Sequence, residues 1–130
     1  MRETFHKSER LCSATLIRDL YRKGRTLTIS PFRVQWQFHT ERLPFPAQVV
    51  ISVPKSRFPK AVTRNLIKRR IREAYRKNKH ILYDKLSGAG VQIILVITYT
   101  AADPISSEAM RDKIIVLLHR LNEAVEKTSG

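Results

Sequence analysis

The chain is poor in the residues that build covalent and metal frameworks. Cys12 is the only cysteine in 130 residues, so no disulfide closes within the chain and no cysteine cage can hold a metal. This usage fits a reducing cytosol, and no disulfide-linked partner is expected. Long apolar runs are missing as well. None exceeds the length of Ile93–Ile97, far short of the roughly 20 residues of a transmembrane helix, and the N-terminus shows no apolar stretch of signal-peptide length. The expectation is a soluble, cytoplasmic protein with no membrane partner. His6, His39, His80 and His119 are scattered without metal-ligand spacing. No serine, histidine and acid stand at a spacing that joins them, so an enzyme with its own active site finds little support. Repeats and low-complexity tracts are absent.

Acids are also scarce: 11 Asp and Glu face 25 Lys and Arg, a formal charge of +14. Such a surplus repels itself in the compact state, and a polyanion relieves it. With 42% hydrophobic residues the chain has enough apolar content for a core, and its length suits one domain, residues 1–130. The charge is uneven. Lys55 to Lys79 holds eleven bases and one acid, Glu73, while residues 80–130 hold five bases and six acids. Residues 1–28 hold seven bases and three acids, so two patches are expected to face the partner, the middle one dominant, and the last third reads as scaffold.

Local patterns predict the elements. Ser13 caps a helix that runs to Lys23 and stops at Gly24. Phe32, Val34, Trp36 and Phe38 alternate with Arg33, Gln35, Gln37 and His39, a strand with one buried and one wet face. Trp36 and Phe38 read as core, and His39, at the end of the wet face, as a candidate contact to the polyanion. Ala47–Val53 reads as a second strand, and Pro54 and Pro59 bracket a basic loop. A helix is predicted from Thr63 to about Asn78, then a glycine-bearing loop, Ser87 to Gly90. Val91–Thr98 is apolar on both faces and should be central in the sheet. Asp103–Pro104 turns the chain, and Ser106 or Ser107 caps a last helix with Met110, Ile114, Leu117, Leu118, Leu121 and Val125 on one side. The class is α+β. Cys12 has no evident base partner and is expected to be buried, and His119 to be packed or simply at the surface.

The helix from Thr63 carries the strongest signal. Projected at about 100° per residue from Thr63, Ala74, Ile67 and Ile71 form a narrow core stripe. Arg64, Lys68, Lys79, Arg72, Asn65, Arg76 and Arg69 follow in angular order from about 100° to 240°. A merely solvated face mixes signs, and this one does not. Lys and Arg neutralise phosphates and release counterions, while Asn65 adds a group that both donates and accepts. Glu73 stands outside the face, four residues from Arg69 and from Lys77, able to pair with either. Composition alone leaves open a ribosomal or other structural RNA-binding protein.

The stretch Ala61-Val62-Thr63-Arg64-Asn65-Leu66-Ile67-Lys68-Arg69-Arg70-Ile71-Arg72-Glu73-Ala74-Tyr75-Arg76 closely resembles the signature of the bacterial ribonuclease P protein family. Phe5–Leu11 resembles that family's lead-in, Leu20–Gly24 the end of its first helix, Pro31–Val34 its first strand, and Ser52–Lys55 the strand end before the basic loop. The resemblance covers roughly residues 4–100. It departs at Leu66, where the family usually has Arg and which projects away from the basic face, and at Phe58–Pro59, where a glycine is common.

The resemblance implies an α-β-β-β-α-β-α sandwich: three antiparallel strands, the basic helix, a fourth strand completing a four-stranded mixed sheet through a left-handed βαβ crossover, and a last helix. It implies that the chain is a non-catalytic subunit, the catalyst being a partner RNA that uses bound Mg²⁺. It implies that Arg64, Asn65, Lys68, Arg69, Arg72 and Arg76, with Lys55, Arg57 and Lys60 of the loop, bind the ribonuclease P RNA. Ile17, Tyr21, Arg33 and Gln35 would form a cleft for the single-stranded 5′ leader of precursor tRNA. Ile17 stands where the family favours an aromatic, so stacking would rest on Tyr21.

Overall fold

The computed structural model describes residues 5–129; residues 1–4 and 130 of the expected 1–130 domain lie outside the described residues. A 3-10 turn, Lys7–Glu9, leads into α1 (Ala14–Lys23), β1 (Arg25–Ile29), β2 (Phe32–Phe38), β3 (Ala47–Ser52), α2 (Ala61–Asn78), α3 (His80–Ala89), β4 (Ile93–Tyr99) and α4 (Ser107–Ser129).

The helix α1 begins and ends as its sequence predicts. Ser13 Oγ accepts from the Leu16 N–H at 3.3 Å, and the Gly24 N–H donates to Leu20 O. A Cβ at Gly24 would lie 2.5 Å from that same oxygen, so only glycine fits this close approach. At the end of α3, Gly90 adopts φ +69, the left-handed cap that glycine enters without strain.

The strands form one mixed sheet in the order β1-β2-β4-β3. β1 and β2 are antiparallel, β2 and β4 are antiparallel, and β3 lies parallel to β4 rather than beside β2. Every β4 residue is buried, as expected of a strand apolar on both faces. On one side Phe32, Val34, Trp36, Leu95 and Ile97 pack against α2, α3 and α4. On the other, Ile94 and Val96 pack with Leu11 and Leu20, so α1 covers part of the face expected to be wet. Gln35 is consequently only 8% exposed.

The same register fixes the hand of the β3–β4 crossover. View the sheet from the α2 side with β4 running upward: an L-residue whose side chain faces the viewer turns its N–H and C=O to the right. Ile93 faces the α2 core, and its N–H donates to Pro46 O, leading into β3. β3 therefore lies to the right of β4. A chain that leaves β3, passes across the near face through α2 and α3, and enters β4 on the left makes a left-handed crossover, against the usual right-handed rule.

Two elements escape the residue patterns. β1 is a short, largely exposed edge strand with only Leu27 and Ile29 as apolar residues. α3 follows α2 across Lys79 with no glycine or proline to announce a new helix, adding one helix to the expected order. Cys12, expected to be buried, is exposed.

Candidate nucleic-acid interface

The helix α2 starts two residues before Thr63 and turns Ile67, Ile71, Ala74 and Tyr75 into the core. Tyr75 projects at about 120° on the wheel, so the core stripe intrudes on the basic arc. Outward lie exposed Asn65 and Arg69 and half-buried Lys68 and Arg72, which with Leu66 and Val62 line an open groove. Leu66 thus borders the basic surface rather than turning away from it. Burial, then the neighbouring Arg10 charge, pushes the Arg72 guanidinium below its ordinary value.

Three bases of the arc have structural partners. Arg64 Nη1 donates to Phe58 O and Pro59 O, both at 2.8 Å, and so clamps the basic loop to the first turn of α2. Lys55, Arg57 and Lys60 stay exposed on that loop. Phe58, at the family's glycine position, is buried with its ring 5.9 Å from Tyr99; the departure anchors the loop in the core. Arg76 pairs with Glu73 one turn earlier, correcting the expected pairing with Arg69 or Lys77. The hydrogen bond from Arg76 holds the Glu73 carboxyl below its ordinary value. Lys79, placed on the basic arc by projection, is only 3% exposed and ion-paired to buried Glu9, which removes it from the face. Arg70, on the far side of α2, donates to Ile105 O at 2.6 Å.

The residues of the expected leader cleft divide by role. Tyr21 is 45% exposed and Arg33 is exposed, so both can meet a ligand. Ile17 packs with Leu20 in the smaller core. Gln35 Nε2 donates to Leu20 O at 3.3 Å and Tyr21 O at 3.2 Å, satisfying two end carbonyls of α1 and fixing that helix to the sheet. Among the described residues its Oε1 and Thr98 Oγ1 are buried without a partner. His39 is half-buried at the end of β2, and its backbone N–H donates to Gln92 O.

The sequence model of the Ribonuclease P family matches residues 5–122. The chain belongs to this family. Curated members similar to it include the ribonuclease P protein components of Porphyromonas gingivalis and Chlorobaculum tepidum. The first is 41% identical over 80 residues, covering 62% of this chain and 58% of that protein. The second is 44% identical over 82 residues, covering 58% and 53%. The matched stretch thus spans little more than half the length of these relatives. Solved structures share the fold: the Staphylococcus aureus RNase P protein has TM-score 0.71 at 22% identity over 88% of this chain and 96% of that one. The Thermotoga maritima protein has TM-score 0.66 at 22% identity over 85% and 96%.

Among the described residues no group of three or more His, Cys, Asp or Glu is arranged to hold a metal ion. The basic face does not fit a resident Mg²⁺ either, because its side chains are cations and one amide. No helix of the described residues is long and apolar enough to cross a membrane.

Proposed function

We propose that the chain acts in the cytoplasm as the protein subunit of a ribonuclease P ribonucleoprotein, assisting removal of the 5′ leader from precursor tRNA. The observation that carries this reading is the one-signed surface of Asn65, Lys68, Arg69 and Arg72, continued by Lys55, Arg57 and Lys60, on a family member's fold. Lysine and arginine there would neutralise phosphates of the partner RNA and gain free energy from counterion release. The chain's own part is to bind and orient. Mg²⁺, held by the RNA, would supply activation of water for phosphodiester hydrolysis. Tyr21 and Arg33 would receive the leader, Tyr21 by stacking on a base and Arg33 by meeting a phosphate. Ile17 and Gln35 would hold α1 in place over the sheet.

The test is cleavage of precursor tRNA at low Mg²⁺ by a bacterial ribonuclease P RNA, with and without the chain. The chain alone should be inactive and should stimulate the RNA. Efficient cleavage by rigorously RNA-free protein, or no stimulation, would overturn the reading; binding to RNA without stimulation would favour a structural RNA-binding role.

A further inference from the structure

The basic surface does not end at α2. The segment before α1 runs along the outer edge of β3, where Arg10 forms a parallel bridge with Val49 and the Leu11 N–H donates to Val49 O at 2.9 Å. It covers an edge that would otherwise stand open to pairing with another chain. Between this segment, β3 and α2 lies a cleft of about 150 Å³ lined by Arg10, Cys12, Val50, Lys68 and Arg72, among others. A cleft of this volume has room for a phosphate group.

Three cations face this cleft, and none of them forms an ion pair among the described residues. Arg10 is held there by two restraints. Its guanidinium carbon lies 5.6 Å from the Phe5 ring centre. Its neighbour Glu9 is fully buried and takes hydrogen bonds from Lys79 and Tyr83, 70 and 74 residues away. The fold therefore neutralises the acid at position 9 internally while turning the base at position 10 toward two further cations. The mutual repulsion of Arg10 and Arg72, both lining the cleft, falls when an anion enters between them.

We propose that Arg10, Lys68 and Arg72 form a slot for one RNA phosphodiester, with the N-terminal segment as the second wall of the interface. The slot rests on the reading of the chain as a ribonuclease P subunit and adds to it a contact off the helix. A phosphodiester is the ligand whose charge and size suit the slot, and a guanidinium on each side can offer paired N–H donors to its two free oxygens. The phosphate can come from the partner RNA or from the leader.

The experiment compares Arg10→Gln, Lys68→Gln, Arg72→Gln and the double variant Arg10→Gln/Arg72→Gln in the full chain, with Arg111→Gln on α4 as a control. Affinity is measured against salt for a bacterial ribonuclease P RNA transcript, and for precursor tRNA with long and short leaders on the assembled ribonucleoprotein. Arg10→Gln should keep the wild-type melting temperature, weaken binding, and make the log–log salt slope shallower by about 0.7–0.9, one phosphate contact. Loss on the transcript alone assigns the phosphate to the partner RNA, and loss only with the long leader assigns it to the substrate; either supports the slot. The double variant should lose less than the two single losses combined, because both side chains grip one group. Wild-type affinity and slope for Arg10→Gln beside weakened Lys68→Gln would overturn the slot while leaving the helix interface standing, as would strictly additive losses. Wild-type behaviour of Lys68→Gln and Arg72→Gln alike would overturn the subunit reading itself.

Discussion

Lys79 Nζ lies 3.0 and 2.8 Å from the two carboxylate oxygens of Glu9, with both side chains buried. The pair ties the segment before α1 to the junction of α2 and α3, and the Tyr83 hydroxyl donates to the same carboxylate. Removing one member of such a pair strands a buried charge. Lys79→Met should therefore lower stability by about 3–5 kcal/mol in urea unfolding. Glu9→Leu/Lys79→Met should recover much of that loss, since no uncompensated charge remains. A Lys79→Met protein of wild-type stability that binds RNA weakly would return Lys79 to the interface.

The two faces of α2 should separate in mutagenesis. Ile71 is fully buried, so Ile71→Ala should cost about 2–5 kcal/mol of stability. Lys68→Ala and Arg69→Ala should unfold at the wild-type midpoint and bind RNA less tightly. Arg64→Ala should do both, because Arg64 also closes the basic loop through Phe58 O and Pro59 O. Losing that charged donor should cost about 1–3 kcal/mol, read as a lower melting temperature.

Tyr21 projects from α1 at 45% exposure, which argues against a core role despite its place beside Leu20. Tyr21→Ala should leave the melting temperature and the affinity for the RNA subunit nearly unchanged. It should weaken binding of precursor tRNA with a long leader by about 1–3 kcal/mol, the value of one base–aromatic stack. Mature tRNA should bind as before. Equal losses on both substrates with a lower melting temperature would remove Tyr21 from the ligand surface.

Alkaline pH should destabilise the chain through its buried phenols. Burial pushes Tyr75 and Tyr83 well above the ordinary 10.0. A group whose folded pKa is raised contributes in full below the unfolded pKa, and its contribution falls as pH climbs from there toward the folded value. Stability carried by these phenols should thus hold up to about pH 10 and decline above it. Tyr75→Phe should make that decline shallower by about 1.4 kcal/mol per pH unit, one proton's worth. Parallel slopes for the two proteins between pH 10 and 12 would rule Tyr75 out as a contributor.

Much of the proposed interface was legible because its signal is local. The one-signed face of α2, the apolar run of β4 and the caps of α1 depend on residues within a few positions of one another, and the motif around Asn65 needs only its own helix to be read. Arg10 was visible as part of the family lead-in, but nothing local showed it facing Arg72. β1 was hidden because five residues at a sheet edge carry too little apolar alternation to register, and α3 because it continues α2 without a breaker.

By itself the sequence determined an α+β domain, a cationic helix packed through Ile67 and Ile71, a central strand, and membership of a family whose motif sits on that helix. These follow from periodicity and from charge, both properties of neighbouring residues. Only the tertiary structure decided which cations remain available. Lys79 leaves the face for Glu9, Arg76 turns to Glu73, Arg64 clamps the loop, and Gln35 binds α1 instead of facing water. Each outcome depends on a partner brought near by folding, and the cost of burying an unpaired charge or polar group then sets where the side chain goes.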